Sequence, residues 1–312
     1  IRTTPNVYSK LPVDNDFDDA VFPSHWRFAI ADQTTDDPNS LNPTGLERLS
    51  SDANQTNFYL ELGSQCDGPF NTSAVDLLLD LEGETEVEML IDIYDFYDED
   101  QPNDGIFFSD NGGDSFVKVF DFQPTKWCNE TWGRYASFDI DKLARENGLS
   151  LTKEFIIRFQ QYDNADFISV VGDEDGMRID NVIVRVPPIT YTSLPFEDDF
   201  NTGTMKSAWS WAQATETVSD TTTIIPSGFF GLSSDADRTN YWASMGQRCD
   251  GSFATNALDL HLNLAGKNQV ALSFDINDFY DENQALLEGI FFSDDGGASF
   301  ERVYEFQPEN WC

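Results

Sequence analysis

The sequence predicts an all-β protein built from tandem antiparallel β-sandwich domains. Three observations lead to this prediction: an internal repeat, short segments in which apolar and polar residues alternate, and connections rich in Gly, Asn and Asp. The single fair helix candidate is Asp141–Asn147, with Asp141 as N-cap and Gly148 just past its end. Many short strands with one short helix are typical of a sandwich.

The two halves of the chain repeat each other at a nearly constant offset. Cys249 follows Cys66 by 183 positions, and the same offset joins Trp26 to Trp209 and the Leu-Ser-Ser-Asp-Ala motif at 49–53 to its second copy. A unit of this length is longer than a solenoid repeat and large enough to bury its own core. We therefore expect one domain type, present twice.

The alignment of the repeats also predicts the domain boundaries. Residues at the start of the chain align with the end of the first repeat's last strand, and Cys312 aligns with Cys128. We expect the second repeat to lack its closing strands, which leaves unpaired edges that a continuing chain or a neighbouring molecule would cover. The expected divisions are 1–10 for the end of a preceding repeat and linker, 11–186 for repeat one, 187–193 for a linker and 194–312 for repeat two.

Strands follow from the alternating segments, taken in order. Leu11–Phe17 and Leu194–Phe200 read as first strands whose ends carry acids, and the tryptophans that follow are expected in the core. One apolar face is kept in both copies, which indicates sheets packed on one side. Further strands are expected at Phe58–Leu62, Val75–Leu81, Val87–Ile93, Phe155–Tyr162 and Met177–Val186, and in repeat two at Tyr241–Met245, Leu258–Leu264 and Val270–Ile276.

A β-hairpin with explicit turn chemistry lies in the middle of each repeat. Its turn runs from Ser109 to Phe116, and again from Ser293 to Phe300, and matches the Asp-box pattern. In this pattern an Asp or Asn side chain accepts turn amides, a Gly takes a positive φ, and the aromatic folds back over the hairpin. We expect a folding device here and not a catalytic site.

Charge limits the partners. The chain has 18 basic and 56 acidic residues, a formal net charge of −38, spread along its length. Such a surface argues against nucleic acid and anionic membranes as partners. No apolar run is long enough to span a bilayer, so no membrane insertion is expected in this stretch.

Two cysteines occur at equivalent places in each repeat, without a zinc-type spacing. They predict the disulfides Cys66–Cys128 and Cys249–Cys312, and with them an oxidising compartment, either secreted or at the cell surface. Three sequons mark possible N-glycosylation at Asn54, Asn71 and Asn129.

A family resemblance rests on three motifs: the acidic opening Phe196–Phe200, the Asp-box-like turn, and the closing segment Asp173–Val184. Together they resemble the MAM-like jelly rolls of extracellular proteins, with related layouts in reelin subrepeats and in bacterial adhesin domains. The resemblance implies a jelly roll used for adhesion or as a spacer, commonly with a calcium ion near the first and last strands.

Structural calcium is the expected cofactor, because this hard cation takes six to eight oxygen ligands and acid clusters in loops supply them. A weaker second cluster holds Asp95, Asp98 and Glu99, with Asp278, Asp281 and Glu282 in repeat two. The alternative, solvated surface acids, stays open. The first ligand set is Asp14, Asp16, Asp52 and Asp180, with Glu197, Asp199 and Asp235 in repeat two.

Catalysis has little support in the sequence. His25 and His261 align with Ala208 and Leu78, so no histidine-based catalytic set is repeated. Two hypotheses remain. One is a non-catalytic structural or adhesive repeat that associates with itself in a long stalk or filament. The alternative is a carbohydrate-binding jelly-roll module of a larger secreted enzyme, with glycans as partners; exposed aromatics on one sheet face would favour it.

Overall fold

The computed structural model describes residues 6–29, 45–65, 70–96, 98, 100–122, 132–164, 176–187, 190–213, 228–247, 256–277, 288–297 and 299–307. The chain divides into two compact units, the first made mainly of Ile1–Pro187 and the second mainly of the residues that follow. The only described helix is short, and none is long and apolar enough to cross a membrane.

The first unit is an antiparallel β-sandwich, which confirms the predicted fold class. A six-stranded sheet has the order β3-β4-β11-β6-β9, with β1 also paired to β11, and a five-stranded sheet has the order β2-β5-β10-β7-β8. The strands are β1 Val13–Asn15, β2 Trp26–Phe28, β3 Gly45–Ser51, β4 Phe58–Ser64, β5 Asn71–Leu79, β6 Glu88–Asp95, β7 Gly105–Ser109, β8 Val117–Asp121, β9 Trp132–Asp139, β10 Phe155–Asp163 and β11 Met177–Arg185.

The core lies between the two sheets and follows from strand periodicity. Phe155, Ile157 and Phe159 alternate along β10 and have no exposed surface. The Trp26 ring stacks on the Phe159 ring with 5.9 Å between centroids, and Trp26 is buried. The prediction that this tryptophan belongs to the core is confirmed.

The first and last strands of the unit lie side by side, as expected for a jelly roll. Val13 pairs with Val184 in the register of β1 and β11. The acidic opening also has a role that the sequence did not indicate, because Asn15 Oδ1 accepts a hydrogen bond from the Trp26 indole at 2.8 Å. In repeat two, Asp198 Oδ2 accepts from the Trp209 indole at 3.0 Å.

The Asp-box turn forms the predicted hydrogen bonds. Asn111 Oδ1 accepts from the Ser115 amide at 3.1 Å, and Ser109 Oγ accepts from the Gly113 amide at 2.9 Å. Gly113 has a φ of +95°, which a side chain would strain. In repeat two the same network holds the carboxylate of Asp295, whose pKa is lowered to about 2 by hydrogen bonds from Ser299. The turn therefore stabilises the hairpin.

The helix differs from the prediction at its N-terminus. Helix α1 spans Ile140–Glu146, and its N-cap is Asp139, whose side chain accepts from the Lys142 amide. The predicted N-cap, Asp141, is wrong, because β9 runs directly into the helix and moves the start back. The Asp141 carboxylate instead accepts from the amides of Glu86 and Val87, both at 3.1 Å. It thereby ties the helix to the beginning of β6.

The second unit has shorter sheets. The predicted strands Leu194–Phe200 and Val270–Ile276 are not formed. The described strands of this unit occur as two-stranded pairs: β12–β17, β13–β16, β14–β15 and β18–β19. These strands are β12 Thr192–Ser193, β13 Trp209–Gln213, β14 Gly228–Ser234, β15 Tyr241–Gln247, β16 Asn256–Leu260, β17 Leu262–Asn263, β18 Gly289–Phe292 and β19 Glu301–Glu305.

Candidate functional site

The proposed calcium ligands do not come together. Among the described residues, no group of three or more His, Cys, Asp or Glu side chains is placed to hold a metal ion. Asp14 and Asp16 are exposed at the first strand, and Asp16 Oδ1 accepts from the amide of Asp18. Glu197 is exposed, and Asp199 accepts hydrogen bonds from Asn201.

Asp52 and Asp235 have a local structural role instead. The Asp52 carboxylate accepts from the Thr56 amide at 2.7 Å and from the Thr56 hydroxyl at 2.9 Å. Asp235 does the same with Thr239. These bonds lower the pKa of both carboxyl groups, with the threonine amide as the first cause. The repeated Leu-Ser-Ser-Asp-Ala motif is therefore a turn whose carboxylate is used within the turn.

Asp180 is the one buried member of the set, on β11. Burial raises its pKa to about 6, and Asp92 and Asp18 nearby act in the same direction, whereas the Asn181 amide donates to it at 2.7 Å and lowers the pKa. Of the weaker set, Asp95 and Asp98 are buried. Glu99, Asp278, Asp281 and Glu282 lie outside the described residues.

Calcium binding stays a prediction for solution measurement. We expect the melting temperature to fall in excess chelator and to recover with calcium, because a ligand bound only by the folded state stabilises it. Differential scanning calorimetry at matched ionic strength tests this. Asp180→Ala should abolish the effect and Asp114→Ala, an exposed position, should leave it. Equal melting temperatures with chelator and with calcium would show that calcium does not stabilise the fold.

The disulfide and glycosylation predictions have different outcomes. All four cysteines, Cys66, Cys128, Cys249 and Cys312, lie outside the described residues, as does Asn129. Asn54 is exposed in its turn. Asn71 is only 2% exposed, and its Nδ2, the atom that a glycan would occupy, donates to Ser64 Oγ at 2.8 Å. A glycan at Asn71 is therefore incompatible with this fold.

A cluster of aromatic rings surrounds one arginine on the outer face of the six-stranded sheet. The guanidinium carbon of Arg178 lies 4.6, 5.6 and 4.2 Å from the ring centroids of Tyr59, Tyr94 and Phe96. Trp132 packs against Tyr94 at 5.4 Å and against Tyr59 at 5.9 Å. We call these five residues the aromatic–arginine cluster. Stacked guanidinium and aromatic groups hold each other in fixed orientations.

The order of the strands assembles this cluster. Tyr59, Arg178, Tyr94 and Trp132 lie on β4, β11, β6 and β9, which are neighbours in the sheet. Arg178 pairs with Tyr94, and Tyr94 with Trp132, in the strand registers, so their side chains stand on the same face. The cluster runs across the sheet, perpendicular to the strands.

A carboxylate beside the cluster orients the arginine. Glu61 Oε1 accepts from Arg178 Nε at 2.9 Å, and Glu61 Oε2 accepts from Arg48 Nε at 2.6 Å. Glu61 is buried, while the Arg178 and Arg48 side chains are 23% and 44% exposed. Two guanidinium groups and partly exposed rings thus reach solvent at this face, a combination of apolar surface and N–H donors.

The outer face of the five-stranded sheet is closed at its centre. There Arg158 and Asp76 have no exposed surface, and the Phe116 ring of the Asp-box turn covers the Arg158 guanidinium at 3.6 Å. A ligand has no access to this pair without displacement of the turn. In the aromatic–arginine cluster, Tyr59 and Phe96 are buried, but Tyr94 and Trp132 are partly exposed. The cluster therefore makes the better candidate site.

Repeat two keeps the cluster only in part within this sequence. Trp242 and Phe279 stand at the positions of Tyr59 and Phe96, but Asn277 replaces Tyr94. Beside the cluster, Gly231 and Ser244 replace Arg48 and Glu61. The cluster was not predicted from the sequence because its members lie far apart in the chain. The signal that was overlooked was a set of aromatics at polar-face positions of otherwise alternating strands.

Comparison with protein-family models and with curated proteins finds no match. Among solved structures, CBM27-1 of Caldicellulosiruptor saccharolyticus in complex with mannohexaose aligns with 56% of this chain and 97% of its own, at 12% identity and a TM-score of 0.30. The CBM22-2 xylan-binding domain of Paenibacillus barcinonensis Xyn10C aligns with 55% and 98%, at 14% identity and 0.29. The tandem CBM22-1–CBM22-2 of that enzyme covers 83% of each chain, at 11% and 0.29.

These findings correct the family assignment. The similar structures are carbohydrate-binding modules, and the MAM-like, reelin-like and adhesin resemblance drawn from short motifs was wrong. The acidic opening and the Asp-box turn, which carried that resemblance, have local roles: Asp198 accepts a hydrogen bond from the Trp209 indole, and the turn closes a hairpin. The prediction of an adhesive filament is corrected together with that resemblance. The overall similarity is low, with TM-scores of 0.29–0.30.

Proposed function

We propose that the first repeat is a non-catalytic carbohydrate-binding module that acts outside the cell. The aromatic–arginine cluster is the observation on which this rests. A sugar ring has an apolar face of C–H groups and an edge of hydroxyl groups, so it needs an aromatic surface next to hydrogen-bond donors. Trp132 and Tyr94 supply the surface, and Arg48 and Arg178 supply the donors.

The electrostatics favour a neutral polysaccharide. Glu61 already balances part of the charge of Arg48 and Arg178. The whole chain carries a net charge of −38, which repels polyanionic glycans over the distance that salt does not screen. Mannohexaose and xylan, named with the similar structures, are the first probes. An alginate or a pectin is the matched anionic probe, and we expect it not to bind.

Binding is expected to depend on Trp132. Trp132→Ala should weaken glycan binding roughly tenfold or more, because a central aromatic anchor carries a large share of the binding energy. Isothermal titration calorimetry with each neutral probe measures the change. Arg178→Lys keeps the charge but loses the planar group that stacks between the rings, and should also weaken binding.

Phe28→Ala is the control variant. Phe28 is 43% exposed and stacks on Phe22 at 4.6 Å, away from the cluster, so its loss should leave glycan affinity unchanged. Melting temperatures of all variants separate loss of the site from loss of the fold. If Trp132→Ala stays folded and binds as well as Phe28→Ala, the cluster is not the glycan site. If a broad glycan array detects no ligand, the proposed function itself is wrong.

A further inference from the structure

Two arginines share one carboxylate beside the aromatic–arginine cluster. Glu61 Oε1 accepts from Arg178 Nε at 2.9 Å and Glu61 Oε2 accepts from Arg48 Nε at 2.6 Å, while the Glu61 side chain is only 1% exposed. This group of three residues therefore has one positive charge in excess. In a chain with a net charge of −38, a positive excess at the candidate glycan site marks a place for an anionic group.

Arg48 is the arginine that a ligand reaches more easily. Its side chain is 44% exposed, against 23% for Arg178. The Arg178 guanidinium is covered by the rings of Tyr59 and Phe96, whose centroids lie at 4.6 and 4.2 Å. Arg48 uses its Nε for Glu61, and neither of its Nη groups donates a hydrogen bond within the described part of the chain. The Arg48 guanidinium is thus held in place on one side and open to a ligand on the other.

The strand order separates Arg48 from the exposed rings. Arg48 lies on β3 at one edge of the six-stranded sheet, and Trp132 lies on β9 at the other edge. Four strand spacings of about 4.8 Å separate these strands, a distance of roughly 19 Å. A single sugar ring that stacks on Trp132 is too small to reach Arg48, whereas an oligosaccharide is long enough.

Apolar packing continues from the rings toward Arg48. Leu46 stands two residues before Arg48, on the same face of β3, and forms a small buried cluster with Phe96, against which Tyr94 packs. The apolar part of the site therefore extends to the strand that carries Arg48. The main chain of a neutral glycan fits this surface, and a charged group fits only at the β3 end.

We propose that Arg48 binds a carboxylate group carried by an otherwise neutral glycan. This rests on the proposed function: the sugar rings of the main chain stack on Trp132 and Tyr94, and a uronic acid side group reaches Arg48. The N–H groups of an arginine match the two oxygens of a carboxylate, which accepts them as a bidentate pair. Arg48 thus determines specificity for the side group, and the ligand class is a neutral polysaccharide with sparse uronic acid branches.

Sparse acid groups are compatible with this acidic protein, whereas a polyanion is not. At an ionic strength of about 0.1–0.15 M, exposed charges interact over only about 8–10 Å. A single carboxylate at Arg48 therefore interacts mainly with the two arginines and Glu61 beside it, where the positive charge is in excess. A chain with a carboxylate on every sugar, such as alginate, also brings its charges to parts of the acidic surface that have no arginine.

The test compares neutral and branched forms of the same glycan. The probes are mannohexaose and xylohexaose, each alone and with a single glucuronic acid side group. By isothermal titration calorimetry, at least one branched form should bind roughly tenfold or more tightly than its neutral form. Arg48→Met should abolish this preference and leave the affinity for the neutral form within about twofold. In the unchanged protein, salt at about 1 M should reduce the preference, because it screens the ion pair.

Arg185→Met is the matched control. Arg185 Nε donates to Glu88 Oε1 at 2.6 Å and the Arg185 side chain is 40% exposed, so it forms a similar ion pair on the same sheet. It lies at the other end of β11 from Arg178, away from the cluster, and the change should leave the preference as it was.

The outcomes separate this proposal from the proposed function. If a neutral probe binds but its branched form binds no better, or if the preference survives in Arg48→Met, the role of Arg48 is wrong and the glycan site stands. If none of the four probes binds, the role of Arg48 is likewise wrong, and the glycan array decides separately on the proposed function.

Discussion

Asp76→Ala is expected to lower the free energy of unfolding of the first repeat by about 3–5 kcal/mol, because it leaves a buried guanidinium without its partner. Arg158 donates to the two oxygens of Asp76 at 2.6 and 3.0 Å, and both side chains have 0% exposed surface. An unpaired buried charge costs far more than the pair contributes. Urea unfolding followed by tryptophan fluorescence measures the loss.

The surroundings of the pair explain why water does not replace the lost partner. The Phe116 ring lies 3.6 Å from the Arg158 guanidinium carbon and covers it. Arg27 also donates to Asp76, at 2.9 Å, so three strands, β2, β5 and β10, meet at this carboxylate. Loss of Asp76 should therefore loosen the hairpin turn as well as the sheet.

Two further variants distinguish the effect of an unpaired buried charge from the effect of losing any charged side chain. Glu82→Ala removes an exposed ion pair with Lys153, whose side chains are 61% and 66% exposed, and should cost about 1 kcal/mol or less. The double variant Asp76→Leu with Arg158→Met removes both charges and should recover most of the stability lost in Asp76→Ala. The expectation would be contradicted if Asp76→Ala lowered the free energy of unfolding by no more than Glu82→Ala does.

Asp104 is expected to make the first repeat more stable in mild acid than at neutral pH. Burial raises its pKa to about 8, while the amides of Tyr162 and Gln101 donate to its oxygens and act against this shift. The folded state therefore holds a proton that the unfolded state releases near pH 4. That stabilisation is complete below the unfolded pKa and is lost as the pH rises through about 8.

The expected slope is about 1.4 kcal/mol per pH unit between these two pKa values. Melting temperature should thus rise when the pH is lowered from 7.5 to 5.5, and Asp104→Asn should flatten this dependence. Protonation of other carboxylates also stabilises the fold as the pH falls, because it reduces the overall negative charge. Asp114→Asn is therefore the control. It removes one exposed charge and should leave the slope unchanged. Equal slopes for the two variants would exclude Asp104 as the cause.

The two repeats differ at the proposed glycan site. Repeat two has Gly231 and Ser244 in place of Arg48 and Glu61, and Asn277 in place of Tyr94. We therefore expect glycan binding to be lost by variants of the cluster in repeat one and to be unaffected by variants at the corresponding positions of repeat two.

Much of the fold could be predicted from local sequence. The repeats could be aligned directly, and the alternation along Val87–Ile93 and the Ser-Asp-Asn-Gly-Gly turn at the end of β7 depend on neighbours a few residues apart. Such patterns determine whether a segment becomes a strand or a turn before any distant contact forms. The error of two residues at the helix N-cap lies at a boundary, where β9 and the helix compete for the same residues.

The site was decided by the order of the strands, which no local pattern contains. Tyr59, Tyr94, Trp132 and Arg178 become neighbours because β11, the last strand of the repeat, inserts between β4 and β6. The acids near the chain start were assigned to calcium from their composition, which stays a prediction; the fold adds that Asp52 accepts a hydrogen bond within its own turn. Composition determined that the chain is acidic, and the local alternation of apolar and polar residues determined that it is rich in strands. Only the pairing of distant strands decided which polar groups are buried with partners and which face solvent beside aromatic rings, since burial depends on contacts across the whole sheet.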